Sequence, residues 1–181
     1  ITTGNLGHAS NHGIYLYSGA SQNVIAGNTI SVKGTSTNYG MYFTSYASNN
    51  TIENNTINTR GSGASNYGLY ISSNSHNDTV RFNNITTYGT SSNYGIRIDT
   101  TAYNHTIEGN IILANGTTDT NWGITLNNNA NNNSITGNTV RAQGTYYAHG
   151  IVLQTTSVNN VVANNTVISN GTSVANYAIV A

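Results

Sequence analysis

The sequence predicts an all-β solenoid, a parallel β-helix with three short strands per coil, coils of 27 to 28 residues, and about six and a half coils. Three observations predict it. An Asn-aromatic-Gly anchor recurs at a nearly fixed step, aliphatic residues fall into columns when the repeats are superposed, and no window keeps the i, i+3, i+4, i+7 apolar stripe of a helix.

The anchor reads "NHG" at Asn11, "NYG" at Asn38, Asn66 and Asn93, "NWG" at Asn121, "AHG" at Ala148 and "NYA" at Asn176. Coils therefore start near residues 11, 38, 66, 93, 121 and 148, with a partial one at 176, and residues 1–181 read as a single domain. A second glycine follows at Gly34, Gly61, Gly89, Gly116, Gly144 and Gly171, after Gly7 near the start. The distance from the first glycine of a coil to the second is always 21 residues, so the alternation of 27 and 28 falls in the loop after the second, where "TSTNY" and "SGASNY" differ.

Superposition gives an apolar pair in the first strand: Ile14/Leu16, Met41/Phe43, Leu69/Ile71, Ile96/Ile98, Ile124/Leu126 and Ile151/Leu153. A spacing of two places both members on one face of a strand. Single aliphatic columns mark a second strand (Ile25, Ile52, Val80, Ile107, Ile135, Val162) and a third (Ile30, Ile57, Ile85, Ile112, Val140, Val167). The Gly, Asn, Ser and Thr between them are expected at corners, where positive φ and bent backbone are needed. One corner column is uniform: Asn28, Asn55, Asn83, Asn110, Asn138 and Asn165. An amide both donates and accepts, so these predict a structural ladder. His12, Tyr39, Tyr67, Tyr94, Trp122, His149 and Tyr177 predict a stacked aromatic ladder.

Composition excludes several classes. With 6% charged residues and no net charge, the chain has no basic face for nucleic acid or anionic lipid. No apolar run is long enough for membrane insertion, and no signal peptide heads the sequence; the initial Ile reads as a processed or excised segment. Absence of Cys excludes disulfides and thiolate metal sites.

The phrase "GIYL…NNTIENNTI" resembles the repeat of NosD-like proteins and of the wider carbohydrate-binding and sugar-hydrolase (CASH) domains, which are also common in large surface proteins. The resemblance runs from Asn11 to Asn176 and implies a right-handed parallel β-helix. The chain departs from that repeat in having longer coils, with a Gly/Ser/Thr loop inserted at each second glycine.

Sugar-cleaving β-helices of this resemblance use clustered carboxylates, and the acidic inventory here is Glu53, Asp78, Asp99, Glu108 and Asp119. Glu53, Arg81 and Glu108 share a column, which predicts an exposed ion-pair ladder with its carboxylates about 10 Å apart. His76, Asp78 and His105 are the one trio that could hold a divalent metal, in an Asn-rich turn with no fourth ligand evident. The expectation is no catalytic residue, no metal and no cofactor. Among nine Asn-x-Ser/Thr sequons, Asn49, Asn77, Asn104 and Asn132 form one crowded column, and Asn115 and Asn170 are expected to be the accessible acceptors for N-glycosylation.

The function expected is that of an extracellular or cell-surface structural protein, a β-helical subunit of a filament, sheath or stalk, not an enzyme. Its partner is itself, end to end or side by side, because neither end shows a cap. The resemblance implies an alternative, a carbohydrate-binding or carbohydrate-modifying domain with sugar along Tyr15, Tyr42 and Tyr70, which would otherwise be a lateral contact. An ice-binding solenoid is a third, weakened by the interrupted column Thr29, Thr56, Asn84, Ile111, Thr139, Thr166.

Overall fold

The computed structural model describes residues 1–3, 10–173 and 175–181, so Gly7 lies outside the described residues. Each coil lays down three strands in turn, and each strand pairs in parallel with its counterpart one coil away. The first sheet contains Asn11–Leu16, Asn38–Phe43, Asn66–Ile71, Asn93–Ile98, Asn121–Leu126, Ile151–Leu153 and Ile179–Val180. The second contains Val24–Ala26, Thr51–Glu53, Thr79–Arg81, Thr106–Glu108, Ser134–Thr136 and Val161–Ala163. The third contains Thr2–Thr3, Thr29–Gly34, Thr56–Gly61, Asn84–Gly89, Ile111–Gly116, Thr139–Gly144 and Thr166–Gly171. The result is a right-handed parallel β-solenoid of about six turns, with no helix among the described residues.

The register follows the sequence columns. Ile14 pairs with Met41, Ile25 with Ile52 and Ile30 with Ile57, and the columns continue coil by coil. From Met41 through Ile151 the inward aliphatics are fully buried and form one continuous core. Small residues at Ala47, Ala102 and Ala130 extend this core into the corner after the first strand.

The repeat glycines have a different purpose from the one expected. Neither glycine column carries positive φ; both mark close approach. A Cβ on Gly95 would lie 2.2 Å from Ile112 Cγ2 and 2.6 Å from the Gly123 carbonyl oxygen, so this column makes room for the third-strand aliphatics. A Cβ on Gly89 would lie 2.2 Å from Asn66 Nδ2 and 2.4 Å from Asn93 Oδ1, so the other column makes room for side-chain amides. Left-handed backbone instead recurs at Gln22, Asn49, Asn77, Asn104, Asn132 and Asn159, with φ between 56° and 59°. Asn tolerates that conformation better than most side chains, which accounts for the column of crowded sequons.

Amide ladders run along the corners. Asn55 Oδ1 accepts from the Asn28 backbone N–H at 2.9 Å and from Asn28 Nδ2 at 3.0 Å, while Asn55 Nδ2 donates to the Ile25 carbonyl at 2.8 Å. Asn83, Asn110, Asn138 and Asn165 repeat the Oδ1 acceptance from the coil before and the Nδ2 donation to a backbone carbonyl. A second ladder, not expected from sequence, joins Asn11, Asn38, Asn66, Asn93 and Asn121 through amide contacts of 3.2, 2.9, 3.0 and 2.7 Å.

Two substitutions separate ladder from surface. Asn83→Ala strands the Asn55 donors and the Ile52 carbonyl and is expected to cost on the order of 3 kcal/mol. Asn84→Ala, one residue along and exposed, should stay within about 0.5 kcal/mol. Urea unfolding of the two variants, compared at equal m-values, checks both.

Candidate functional site

The first strand bends at its glycine, so Asn38, Gly40, Met41 and Phe43 face inward while Tyr39 and Tyr42 both face out. The two aromatic columns consequently merge into one ridge on the outer face of the first sheet. Along the predicted ladder, His12–Tyr39 and Tyr39–Tyr67 centroids are 4.9 and 5.1 Å apart with tilted rings. Tyr67–Tyr94 and Tyr94–Trp122 meet edge to face at 4.9 and 5.4 Å, and Trp122–His149 is stacked at 5.7 Å. His149–Tyr177 continues at 5.4 Å. The expected uniform stack is therefore replaced in its middle by edge contacts, which suit the ring quadrupole.

In the neighbouring column Tyr15 and Tyr42 stack at 5.2 Å and Tyr42 and Tyr70 at 5.1 Å, the last pair within 9° of parallel. Only Tyr15, 48% exposed, is open; Tyr42 and Tyr70 are half-buried. Arg97 takes the next place and lies 5.0 Å above the Tyr94 ring, within 6 Å of the Tyr67 and Tyr70 rings as well. Its guanidinium is fixed by Asp99, whose other oxygen accepts from Thr100 N–H at 2.7 Å and Asn128 Nδ2 at 2.8 Å. Burial pushes the Tyr70 and Tyr94 hydroxyls up to about 12, so these ring hydroxyls stay neutral.

The predicted His/Asp/His trio does not assemble. His76 stacks on Tyr103 at 5.0 Å and 6°, with Nδ1 at 3.0 Å from the Asn74 carbonyl. Asp78 and His105 instead lie inside the solenoid as two rungs of a third corner ladder, Asn23, Asn50, Asp78, His105, Asn133 and Asn160. Among the described residues no group of three His, Asp or Glu side chains could hold a metal ion.

The ion-pair column has the predicted register, but only half of the ladder forms. Arg81 Nε and Nη2 both reach Glu53 Oε2, at 2.8 and 2.7 Å, while Glu108 is exposed and outside the pair. Among the sequons, Asn115 is half-buried on the third sheet, whereas Asn49, Asn77, Asn104 and Asn132 are exposed, which reverses the expected order of access for Asn115. Asn170 is exposed as expected. Sequence reasoning also passed over Lys33, Arg60 and Tyr88, which share one outer column of the third sheet without sharing a residue type.

The chain matches the family described as the right handed beta helix region over residues 3–167. The chain belongs to the right-handed β-helix family. No curated protein and no solved structure matches it.

Among the described residues of this β-helix, Asp78 and His105 are the one place where a corner ladder carries titratable groups. His105 Nδ1 accepts from the Asp78 backbone N–H at 3.2 Å and Nε2–H donates to the Ser75 carbonyl at 3.1 Å. The neutral imidazole thus reproduces both functions of an Asn amide, as Asn50 does when its Nδ2 donates to the Ala20 carbonyl. Asp78 Oδ1 accepts from Asn50 N–H at 2.8 Å and Nδ2 at 2.9 Å. Its Oδ2 is buried without a hydrogen bond, 3.5 Å from His105 Nδ1, where an Asn would place its NH₂. A proton on Oδ2 would remove the charge from this unpartnered buried oxygen. Burial pushes the Asp78 carboxyl up to about 6, against the two Asn50 hydrogen bonds and His76, and lowers the His105 imidazole to about 3.

These shifts oppose each other in stability. A raised carboxyl favours the fold below pH 3.8 and loses that contribution as pH rises to about 6; a depressed imidazole favours it above pH 6.5 and loses it as pH falls toward about 3. From roughly pH 4 to 6 both folded and unfolded pairs hold one proton, so the wild-type pair contributes no slope there. Asp78→Asn removes the carboxyl and should lose stability on acidification across that window. His105→Asn should lose it on alkalinisation. Thermal midpoints of the three proteins between pH 4 and 7 check the opposite signs.

Proposed function

We propose that the chain is a non-catalytic extracellular structural module, a β-helical subunit of a surface filament, sheath or stalk that associates with copies of itself. The observation that supports this reading is the continuity of the corner amide ladders, which tie each coil to the next with side-chain as well as backbone hydrogen bonds. Such ladders resist separation along the axis, which is what a load-carrying rod requires.

The placement of the acidic groups agrees with it. Glu53 is held by Arg81, Asp99 by Arg97, and Asp78 lies inside the solenoid. Glu108, on the second sheet, and Asp119, in the loop after Ile111–Gly116, lie on different sides of the coil, and Glu53, two coils from Glu108, is engaged by Arg81, which supports a non-catalytic reading. A sugar platform along Tyr15, Tyr42 and Tyr70 is disfavoured by the ring geometry. Rings stacked within 9° to 16° direct their faces at each other and leave edges for a ligand, whereas a sugar needs a face. For ice, the column Thr29, Thr56, Asn84, Ile111, Thr139, Thr166 is in register but interrupted at its centre.

Electron microscopy of the native material, with averaging along any fibre, tests the reading. The expected result is a polymer with an axial repeat near 4.8 Å and density continuous between subunits. Discrete monomers at high concentration, by microscopy and by sedimentation, would overturn it.

A further inference from the structure

We propose that the aromatic ridge of the first sheet carries one-electron oxidising equivalents from Trp122 to Tyr17, and that Tyr17 is the site at which this chain is modified by oxidation. The path lies within one chain, so it goes beyond the structural reading and stands independently of it.

Besides the sulfur of Cys and Met, indole and phenol are the side-chain groups that give up one electron most readily, and the chain has one Trp, thirteen Tyr, no Cys and one Met. The single Trp stands on the ridge. Met41 is fully buried on the inner side of the strand whose outer side carries Tyr39 and Tyr42.

From Trp122 the rings follow one another without a gap. Trp122 meets Tyr94 at 5.4 Å and Tyr94 meets Tyr67 at 4.9 Å, after which the path divides. One lane passes through Tyr39 at 5.1 Å and the other through Tyr70 at 5.5 Å, and the two rejoin at Tyr42, at 5.0 and 5.1 Å. Tyr15 comes next at 5.2 Å and Tyr17 at 5.5 Å, both stacked. Electron exchange between rings weakens steeply with separation, and no step on either lane exceeds 5.5 Å between centroids. The path crosses four coil spacings, roughly 19 Å.

The surroundings give it a direction. Trp122 Nε1–H donates to the Tyr147 carbonyl at 2.9 Å, an oxygen too weakly basic to take the proton, so an oxidised indole keeps its proton and remains a strong oxidant of phenol. On one side His149 separates Trp122 from Tyr177, and an imidazole is harder to oxidise than a phenol. On the other, Arg97 holds its guanidinium 5.0 to 5.9 Å from the centres of the Tyr94, Tyr67 and Tyr70 rings, where it penalises positive charge. Burial raises the Tyr39 hydroxyl and pushes those of Tyr70 and Tyr94 up to about 12, so these rings release a phenol proton less readily than a ring in water. Tyr17, 59% exposed, is the most open ring of the path, and there the proton leaves and the radical comes to rest.

The reaction balances. Trp122 gives one electron to an external one-electron oxidant, one electron passes ring by ring from Tyr17 to restore Trp122, and Tyr17 loses its hydroxyl proton to water. Two such tyrosyl radicals on different copies join carbon to carbon beside the oxygen. Each ring then rearomatises by moving that carbon's hydrogen to its oxygen, giving dityrosine without further oxidant.

Flash excitation at the red edge of the Trp122 absorption, where tyrosine does not absorb, tests the proposal with chloropentaamminecobalt(III) as the electron acceptor. The tryptophanyl band should decay as the tyrosyl band rises, at a rate independent of protein concentration, and peptide mapping should find the oxidation at Tyr17, dityrosine included. Tyr94→Phe keeps the ring but removes the oxidisable phenol, and should slow the transfer at least about tenfold. Tyr39→Phe leaves the Tyr70 lane open and should still oxidise Tyr17. Tyr39→Phe combined with Tyr70→Phe closes both lanes and should shift the oxidation to Tyr67 and Tyr94. Thermal midpoints near that of the wild type show that these variants fold. Tyr46 is the control: it is 62% exposed, makes no ring contact among the described residues, and should stay unmodified. A tryptophanyl band that decays without a tyrosyl rise, a rate that grows with protein concentration, oxidation at Tyr46 equal to that at Tyr17, or transfer at the wild-type rate in Tyr94→Phe would each overturn the conduit.

Discussion

Backbone pairing between parallel strands sets every coil about 4.8 Å above the last, and at that spacing a side chain at a corner meets its own counterpart. Asn satisfies this constraint because one amide accepts from the coil before it while donating to a backbone carbonyl and to the coil after it. Much of the remaining repeat follows. The glycines at the second position of each coil exist because the ladder from Asn11 to Asn121 occupies the volume where a Cβ would be. The glycines of the anchor exist because the third-strand aliphatics press against the backbone of the first strand. The one-residue variation in coil length is confined to the loop between the last strand of one coil and the anchor of the next.

The constraint is on donors and acceptors, not on residue identity. His105 stands in an Asn position with Nδ1 as acceptor and Nε2–H as donor, and Asp78 keeps the acceptor function through Oδ1. Burial penalises both charged forms, raising the Asp78 carboxyl to about 6 and lowering the His105 imidazole to about 3, so the pair is neutral between those values.

Inward positions repeat and outward ones diverge, so a single coil type supports three chemically different exteriors. One side carries aromatic rings satisfied by each other and by Arg97, another the Glu53–Arg81 pair, and the third Lys33, Arg60 and Arg141, which pair with no carboxylate among the described residues. The solenoid thus presents one side whose aromatic and charged groups satisfy each other and another whose cations face solvent.

Fold class, coil boundaries, the inward columns and the Asn28 ladder were legible in the sequence, because strand pairing one coil apart converts periodicity directly into register. The other two ladders were less legible. The Asn11 column was visible only as an anchor, and the third was disguised by Asp78 and His105 standing among asparagines. Sequence alignment of the coils gave neighbours but not the direction or depth of side chains. It placed Asp78, His76 and His105 close together without separating the buried rungs from the His76–Tyr103 stack, and it could not decide that Arg81 turns toward Glu53 and away from Glu108. The conduit depends on which rings meet across the ridge and on which of them stay exposed, quantities that exist only once three sheets close around a core. Repetition along the chain determined what stacks on what; tertiary structure decided which polar groups were satisfied by stacking and which were left facing solvent.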